Sequence, residues 1–144
     1  MAKVTGIGGV FFRSTEGGSA YQIEVEGGGT GGTGSLIGEM LRISKSAKPA
    51  NIGKVWKPDE WNSMRLRVVG DVPHVMLWIN GVQMYDVQLK RNDLIADRTD
   101  GFIALQSHWT ATYTPIPGST FDMSSAWKPD AAHRYRNVAI RVLP

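Results

Sequence analysis

The sequence predicts an all-β fold, a sandwich or barrel of short antiparallel strands. Three observations predict it. Strand-like runs recur at roughly 8–12-residue spacing with turn signals between them. Long helical periodicity is nearly absent, and no alternation of helix and strand patterns suggests an α/β fold. Asn80-Gly81 also lies between two β-like runs, the strongest short-range hairpin signal.

The strands follow in chain order. "GGVFFR" (Gly8–Arg13) is a β-rich run ending in a cation. "AYQIEVE" (Ala20–Glu26) alternates, with Tyr21, Ile23 and Val25 on one face and Gln22, Glu24 and Glu26 on the other. "WNSMRLRVVG" (Trp61–Gly70) sets Met64, Leu66 and Val68 opposite Arg65 and Arg67. "HVMLWING" (His74–Gly81) follows a "GDVP" turn, and "VQMYDVQL" (Val82–Leu89) follows Asn80-Gly81. "GFIALQSHW" (Gly101–Trp109) puts Ile103 and Leu105 on one face and Phe102, Ala104, Gln106 and His108 on the other. "HRYRNVAIRVL" (His133–Leu143) is expected to close the chain as a last strand. Two long connections stand out. "EGGGTGGTGSLIG" (Glu26–Gly38) holds seven glycines and reads as a long loop at one end of the fold. It lacks the Lys-Ser/Thr and the helix that a phosphate loop needs. "TATYTPIPGSTFDMSSAWKPDAA" (Thr110–Ala132) is long enough to be functional, and Tyr113, Phe121 and Trp127 favour packing or ligand contact there.

Composition narrows the functions. The 144 residues fit one domain, 1–144, able to bury a core without staples. Cysteine is absent, which excludes disulfides, thiol catalysis and thiolate metal sites. The net charge of +3 is spread among interleaved acids and bases, a solvated surface with no nucleic-acid stripe. No apolar run approaches the ~20 residues that span a bilayer. Neither nucleic acid nor membrane is an expected partner. "MAKVTGIGGVFF" carries no signal-peptide hydrophobic block.

Taken together and in order, the motifs resemble the 3-keto-disaccharide hydrolase family. "GIGGVFFRS" is similar to the family's "NSGIFFR", and "AYQIEVE" to its Tyr-Glu-Val-Gln-Ile strand. "GTGSLIG" (Gly32–Gly38) is similar to "TGALYG". "KPDEWNSMRLRVVG…HVMLWINGVQMYD" is similar to "PGEWNxyxIxxxG…IxxWxNGVxxxD". "GFIALQSHW" is similar to "GxIGLQDHG", and "YRNVAIRVL" to "FRNIxIKxL". The resemblance implies an antiparallel jelly-roll β-sandwich of the concanavalin A-like kind. The family domain usually begins earlier, so residues 1–144 are expected to be a single domain truncated at its N-terminus relative to the family, a short natural variant of it, or one half of a swapped or obligate assembly. Ser107 stands where the family has an acid, Gly6-Ile7 replace its Asn-Ser, and the Thr110–Ala132 connection is longer. An absent N-terminal part leaves a sheet edge open, which favours a homodimer through that edge. The family resemblance also points to exported bacterial proteins.

The implied activity is cleavage of glycosides already oxidised to a ketone at C3. A base removes the acidified C2 proton, an enolate forms, and the C1 substituent leaves by elimination. On one outer face of the sandwich, Arg13, Gln22, Glu24, Gln106 and His108 are candidates to converge. His108 suits the base, with an ordinary pKa of about 6.5. Arg13 suits the enolate oxygen, or pairs with Glu24 across strands. Glu24 serves as acid, second base, or ligand with His108 for a divalent metal ion, the one cofactor considered. Gln22 and Gln106 are candidate sugar contacts, and Trp109 and Trp127 candidate stacking platforms. Trp56, Trp61 and Trp78 read as core, Asn62 as a turn cap and Asn80-Gly81 as turn chemistry. His74, beside Pro73, and His133 are weaker site candidates. Two other readings stand beside the enzyme. One is a non-catalytic carbohydrate-binding module using the tryptophans. The other is a laminarinase-like glucanase using Glu24 and Glu26, which would need carboxylates about 5–5.5 Å apart.

Overall fold

Alternating apolar and polar residues are most stable as extended chain with one face buried. The computed structural model describes residues 1–27, 32–107 and 132–143. These form strands β1 (Ala2–Val4), β2 (Ile7–Ser14), β3 (Ala20–Glu26), β4 (Leu36–Glu39), β5 (Met64–Val69), β6 (His74–Ile79), β7 (Val82–Gln88), β8 (Phe102–Ser107) and β9 (His133–Tyr135). One helical turn, α1 (Ile52–Val55), precedes β5. The strands form a four-stranded sheet in the order β4-β3-β2-β8, a three-stranded sheet β5-β6-β7, and the pair β1-β9. All pairings are antiparallel. The two larger sheets stay separate among the described residues, so the architecture is an all-β sandwich and not a closed barrel.

The core is the inner faces of both sheets. Phe12, Tyr21, Ile23, Val25 and Leu36 from the four-stranded sheet meet Val75, Leu77, Ile79 and Val87 from the other, with Ala2, Val4, Ile52 and Trp56 closing the cluster. Tyr21, Tyr85 and Asn62 bring polar groups into it, and each finds partners. The Tyr21 hydroxyl donates to Asn92 Oδ1 at 3.1 Å and accepts from the Asp93 N–H at 2.7 Å. The Tyr85 hydroxyl crosses between the sheets to the carbonyl of Gly34 at 2.9 Å. Asn62, fully buried, takes N–H groups from Lys57 (2.8 Å) and the Asn80 side chain (2.8 Å) on its oxygen. Its own amide donates to the carbonyls of Lys57 and Glu60. Backbone bonds in both directions join Asn62 to Ala2 of β1. The expected Asn80-Gly81 turn closes β6 onto β7 with both residues at positive φ, 49° and 81°, as a two-residue primed turn requires.

Burial raises the pKa of Tyr21, Tyr85 and Tyr135. Each phenol is held in its neutral form by the fold. Their contribution to stability is therefore complete below the unfolded phenol pKa near 10 and is lost as pH rises from there toward the folded values. An ultraviolet phenolate titration run beside an unfolding curve should show these tyrosines ionising late and stability falling over the same alkaline range. Ionisation at the ordinary pH would overturn this.

Three expectations need correction. The closing strand is shorter than His133–Leu143: β9 ends at Tyr135. The ladder to β1 runs one further step, Met1 with Arg136, and then Asn137 turns out of it at φ 51°. No described strand lies beside the next residues, and Val138, Ile140 and Val142 are exposed. The glycine-rich segment is not loop throughout, because Leu36–Gly38 belong to β4 and pair with β3. Of the tryptophans read as core, only Trp56 is buried, its indole N–H on the Gly27 carbonyl at 3.2 Å. Trp61 and Trp78 are half-buried beneath the guanidinium groups of Arg136 (4.1 Å) and Arg65 (4.9 Å). Trp78 faces outward because its neighbours Leu77 and Ile79 take the core positions of β6.

Candidate functional site

The outer face of the four-stranded sheet is built by register. Gly9 of β2 stands opposite Glu24 of β3 on one side and Gln106 of β8 on the other. Phe11 likewise stands between Gln22 and Ala104. Residues directly opposite in an antiparallel sheet share a face. Gln22, Glu24 and Gln106 therefore line one face, while Tyr21, Ile23 and Val25 fill the core behind them. On β8, Gln106 falls on this row, while Leu105 on the opposite face is 46% exposed and lies outside the core.

Gly9 shapes the row. A Cβ there would come within 2.5 Å of Gln22 Nε2 and 2.8 Å of the Ile23 carbonyl. Its bare backbone lets the Gln22 side chain lie across β2 and donate to Gln106 Oε1 at 2.7 Å. Glu24 is held from the other side. Its backbone N–H bonds the Ser35 carbonyl at 3.0 Å, and its carbonyl accepts from the Gly34 N–H at 2.8 Å. The half-buried Glu24 carboxyl lies against Gly32, where a Cβ would be 2.5 Å from Cδ. The end of the glycine run is strapped to β3 by Thr33, whose hydroxyl accepts from the Glu26 N–H (2.9 Å) and donates to the Glu26 carbonyl (3.0 Å). The Gly32 N–H donates to the Glu26 carboxylate at 3.1 Å.

Arg13 stands apart from this row. Phe11 pairs with Ala104 and Ser14 with Phe102, so two residues, Phe12 and Arg13, oppose the single position Ile103. This bulge re-aims Arg13, at φ 53°, and its guanidinium donates to the carbonyls of Gly70 (2.6 Å) and Asp71 (3.0 Å) in the β5–β6 turn. The position opposite Glu24 is Gly9, not Arg13. His108, Trp109 and Trp127 lie outside the described residues.

Among the weaker candidates, His74 bonds Asp86 at 2.5 Å on the outer face of the other sheet. His133 of β9 is half-buried, and burial lowers its pKa, opposed by the raising effect of its hydrogen bond to the Ile7 backbone. Among the described residues, no group of three or more His, Asp or Glu side chains gathers to hold a metal ion. Glu24 is the described member of the pair considered for a divalent ion.

The residues that sequence reasoning missed are glycines and a threonine. Gly9, Gly32 and Thr33 carry no chemistry of their own, yet they decide where Gln22 and Glu24 can lie. A glycine inside a strand is the available signal for such a close approach. The row joins a half-buried carboxyl group to one buried and one half-buried amide, the equipment for reading hydroxyl and carbonyl oxygens and for moving a proton.

The model of a family described as a 3-keto-alpha-glucoside-1,2-lyase-like domain matches residues 2–141. No curated protein and no solved structure gives a match.

Proposed function

The chain belongs to the 3-keto-alpha-glucoside-1,2-lyase-like domain family, and from that membership we propose that it cleaves glycosides carrying a ketone at C3. The family supplies the coarse assignment, carbohydrate-related lyase or hydrolase activity. The finer reading is supported by one observation above others: Glu24 and Gln106 flank the bare backbone of Gly9 on an outward row.

In this reading the base takes the C2 proton, and the electron pair of that C–H bond becomes an enolate on the C3 oxygen. The enolate collapses to a C1–C2 double bond, the C1–O bond breaks, and its pair leaves with the aglycone oxygen, which is protonated. Water adding across the double bond then gives the hydrolysed keto sugar. His108 is assigned the C2 proton, on the ordinary pKa of imidazole. Glu24 is assigned the proton given to the leaving oxygen. A hydrogen-bond donor facing C3 stabilises the enolate as its charge develops. No oxocarbenium ion forms, so the paired carboxylates of ordinary glycosidases are not required.

The test is aglycone release from a nitrophenyl 3-keto-glucoside beside the plain nitrophenyl glucoside, each with and without chelator. Release from the keto sugar alone is expected. Equal release from the plain sugar, or release from neither, would overturn the reading. Loss of release with chelator would add a divalent ion to the site.

A further inference from the structure

Gln22 and Gln106 are more than two adjacent amides, because the bond between them has a direction. Gln22 is 2% exposed, and its Nε2 donates to Gln106 Oε1. That bond engages the acceptor end of the Gln106 amide. The donor end, Nε2 with two N–H groups, is used by no other described residue, and Gln106 itself is only half-buried. Gln22 Oε1, by contrast, is buried without a partner. Turning both amides over would satisfy that oxygen but would leave both N–H groups of a buried amide without partners. Orphaned buried N–H groups are rarer in proteins than under-satisfied carbonyl oxygens. The observed direction is therefore the favoured one.

We propose that Gln22 is a positioning residue that locks the Gln106 amide with its N–H groups outward, and that Gln106 donates to the C3 ketone oxygen of the substrate and to the enolate it becomes. This rests on the keto-glycoside reading and adds to it the group that recognises the ketone. A ketone oxygen only accepts hydrogen bonds, so an outward donor suits it and an outward amide carbonyl repels it. The bond strengthens as the oxygen gains charge, which is where a donor accelerates the reaction. The spacing suits the assignment. Gln106 and Glu24 sit two strands apart, about 9.6 Å between backbones at ~4.8 Å per strand. A pyranose ring spanning from β8 to β3 would turn C3 toward Gln106 and C1 toward Glu24.

The experiment inverts the amide. In Gln22→Glu the new carboxylate can only accept, so the Gln106 amide turns over to donate to it and presents its carbonyl outward. Turnover of the nitrophenyl 3-keto-glucoside should fall about 10²–10³-fold, as on losing one oxyanion donor. Gln106→Glu, at a half-exposed position, removes the donor directly and should fall likewise, which keeps the test independent of whether the buried variant folds. The spectroscopic readout is the carbonyl carbon of 3-keto-1,5-anhydroglucitol labelled with ¹³C at C3, a ligand with no leaving group at C1. Its resonance should move downfield on binding the unchanged protein and lose that shift in both variants. An unchanged bound shift and turnover in Gln106→Glu would overturn the amide assignment while leaving the keto-glycoside reading intact. No release from the keto sugar by the unchanged protein would overturn that reading, and the amide assignment with it.

Discussion

Glu24→Gln is expected to lower turnover of an alkyl 3-keto-glucoside by about 10²–10⁴-fold, the range for losing a general acid. Turnover of the nitrophenyl 3-keto-glucoside should fall far less, because nitrophenolate leaves without a proton. The split between leaving groups is what assigns the acid role. A structural role for Glu24 would slow both substrates alike. The substitution is nearly isosteric, so the carboxamide keeps the close contact with Gly32, and the backbone bonds to Gly34 and Ser35 are untouched. Parallel kinetics on the two substrates decide the matter, and equal losses would remove Glu24 from the proton path.

Asn62→Ala is expected to cost about 3 kcal/mol, since it removes four part-buried hydrogen bonds each worth about 0.5–1.5 kcal/mol net. For a chain of this size that is roughly 10 °C in the thermal midpoint. The truncated side chain would abandon the Lys57 N–H, the Asn80 amide and the carbonyls of Lys57 and Glu60 together. These groups belong to the turn before β5 and to the Asn80-Gly81 hairpin. The site row lies on the other sheet, so activity measured well below the midpoint should be retained. A melting shift of a degree or less would mean that water replaces Asn62 at little cost.

Much of this fold was legible because period-two alternation is a local property. Tyr21, Ile23 and Val25 could be assigned to the core, and Gln22 and Glu24 to the opposite face, from β3 alone. On β8 the same alternation put Leu105 and Gln106 on opposite faces, yet Leu105 is exposed and outside the core cluster, because β8 lies at the edge of its sheet. What could not be read depends on a neighbouring strand. The displacement of Arg13 follows from two residues of β2 opposing one of β8, a fact of pairing that "VFFR" does not carry. The early end of β9 follows from what lies beside it and from the positive φ of Asn137, while its apolar alternation runs on regardless. Trp78 sits in a run, "HVMLWI", that is apolar on both faces, so alternation gave no direction for it. Gly9 was visible as a glycine inside a strand. Which side chain crosses it became clear only with the register between β2 and β3. For His108, Trp109 and Trp127 the reading rests on the sequence alone.

The pairing of β1 with β9 has a consequence in time. Ala2 lies against Tyr135, more than 130 positions along the chain, whereas β5, β6 and β7 are joined by tight turns within residues 64–88. Closing a loop costs entropy that grows with its length. Contacts of long sequence separation slow folding for that reason. The β5–β7 meander can form before the rest exists, and the β1–β9 ladder is the seam that closes last. Asn62 lies at their junction, bonded to Ala2 along the backbone and to Asn80 through its side chain, so the early hairpin carries the docking point for the late seam.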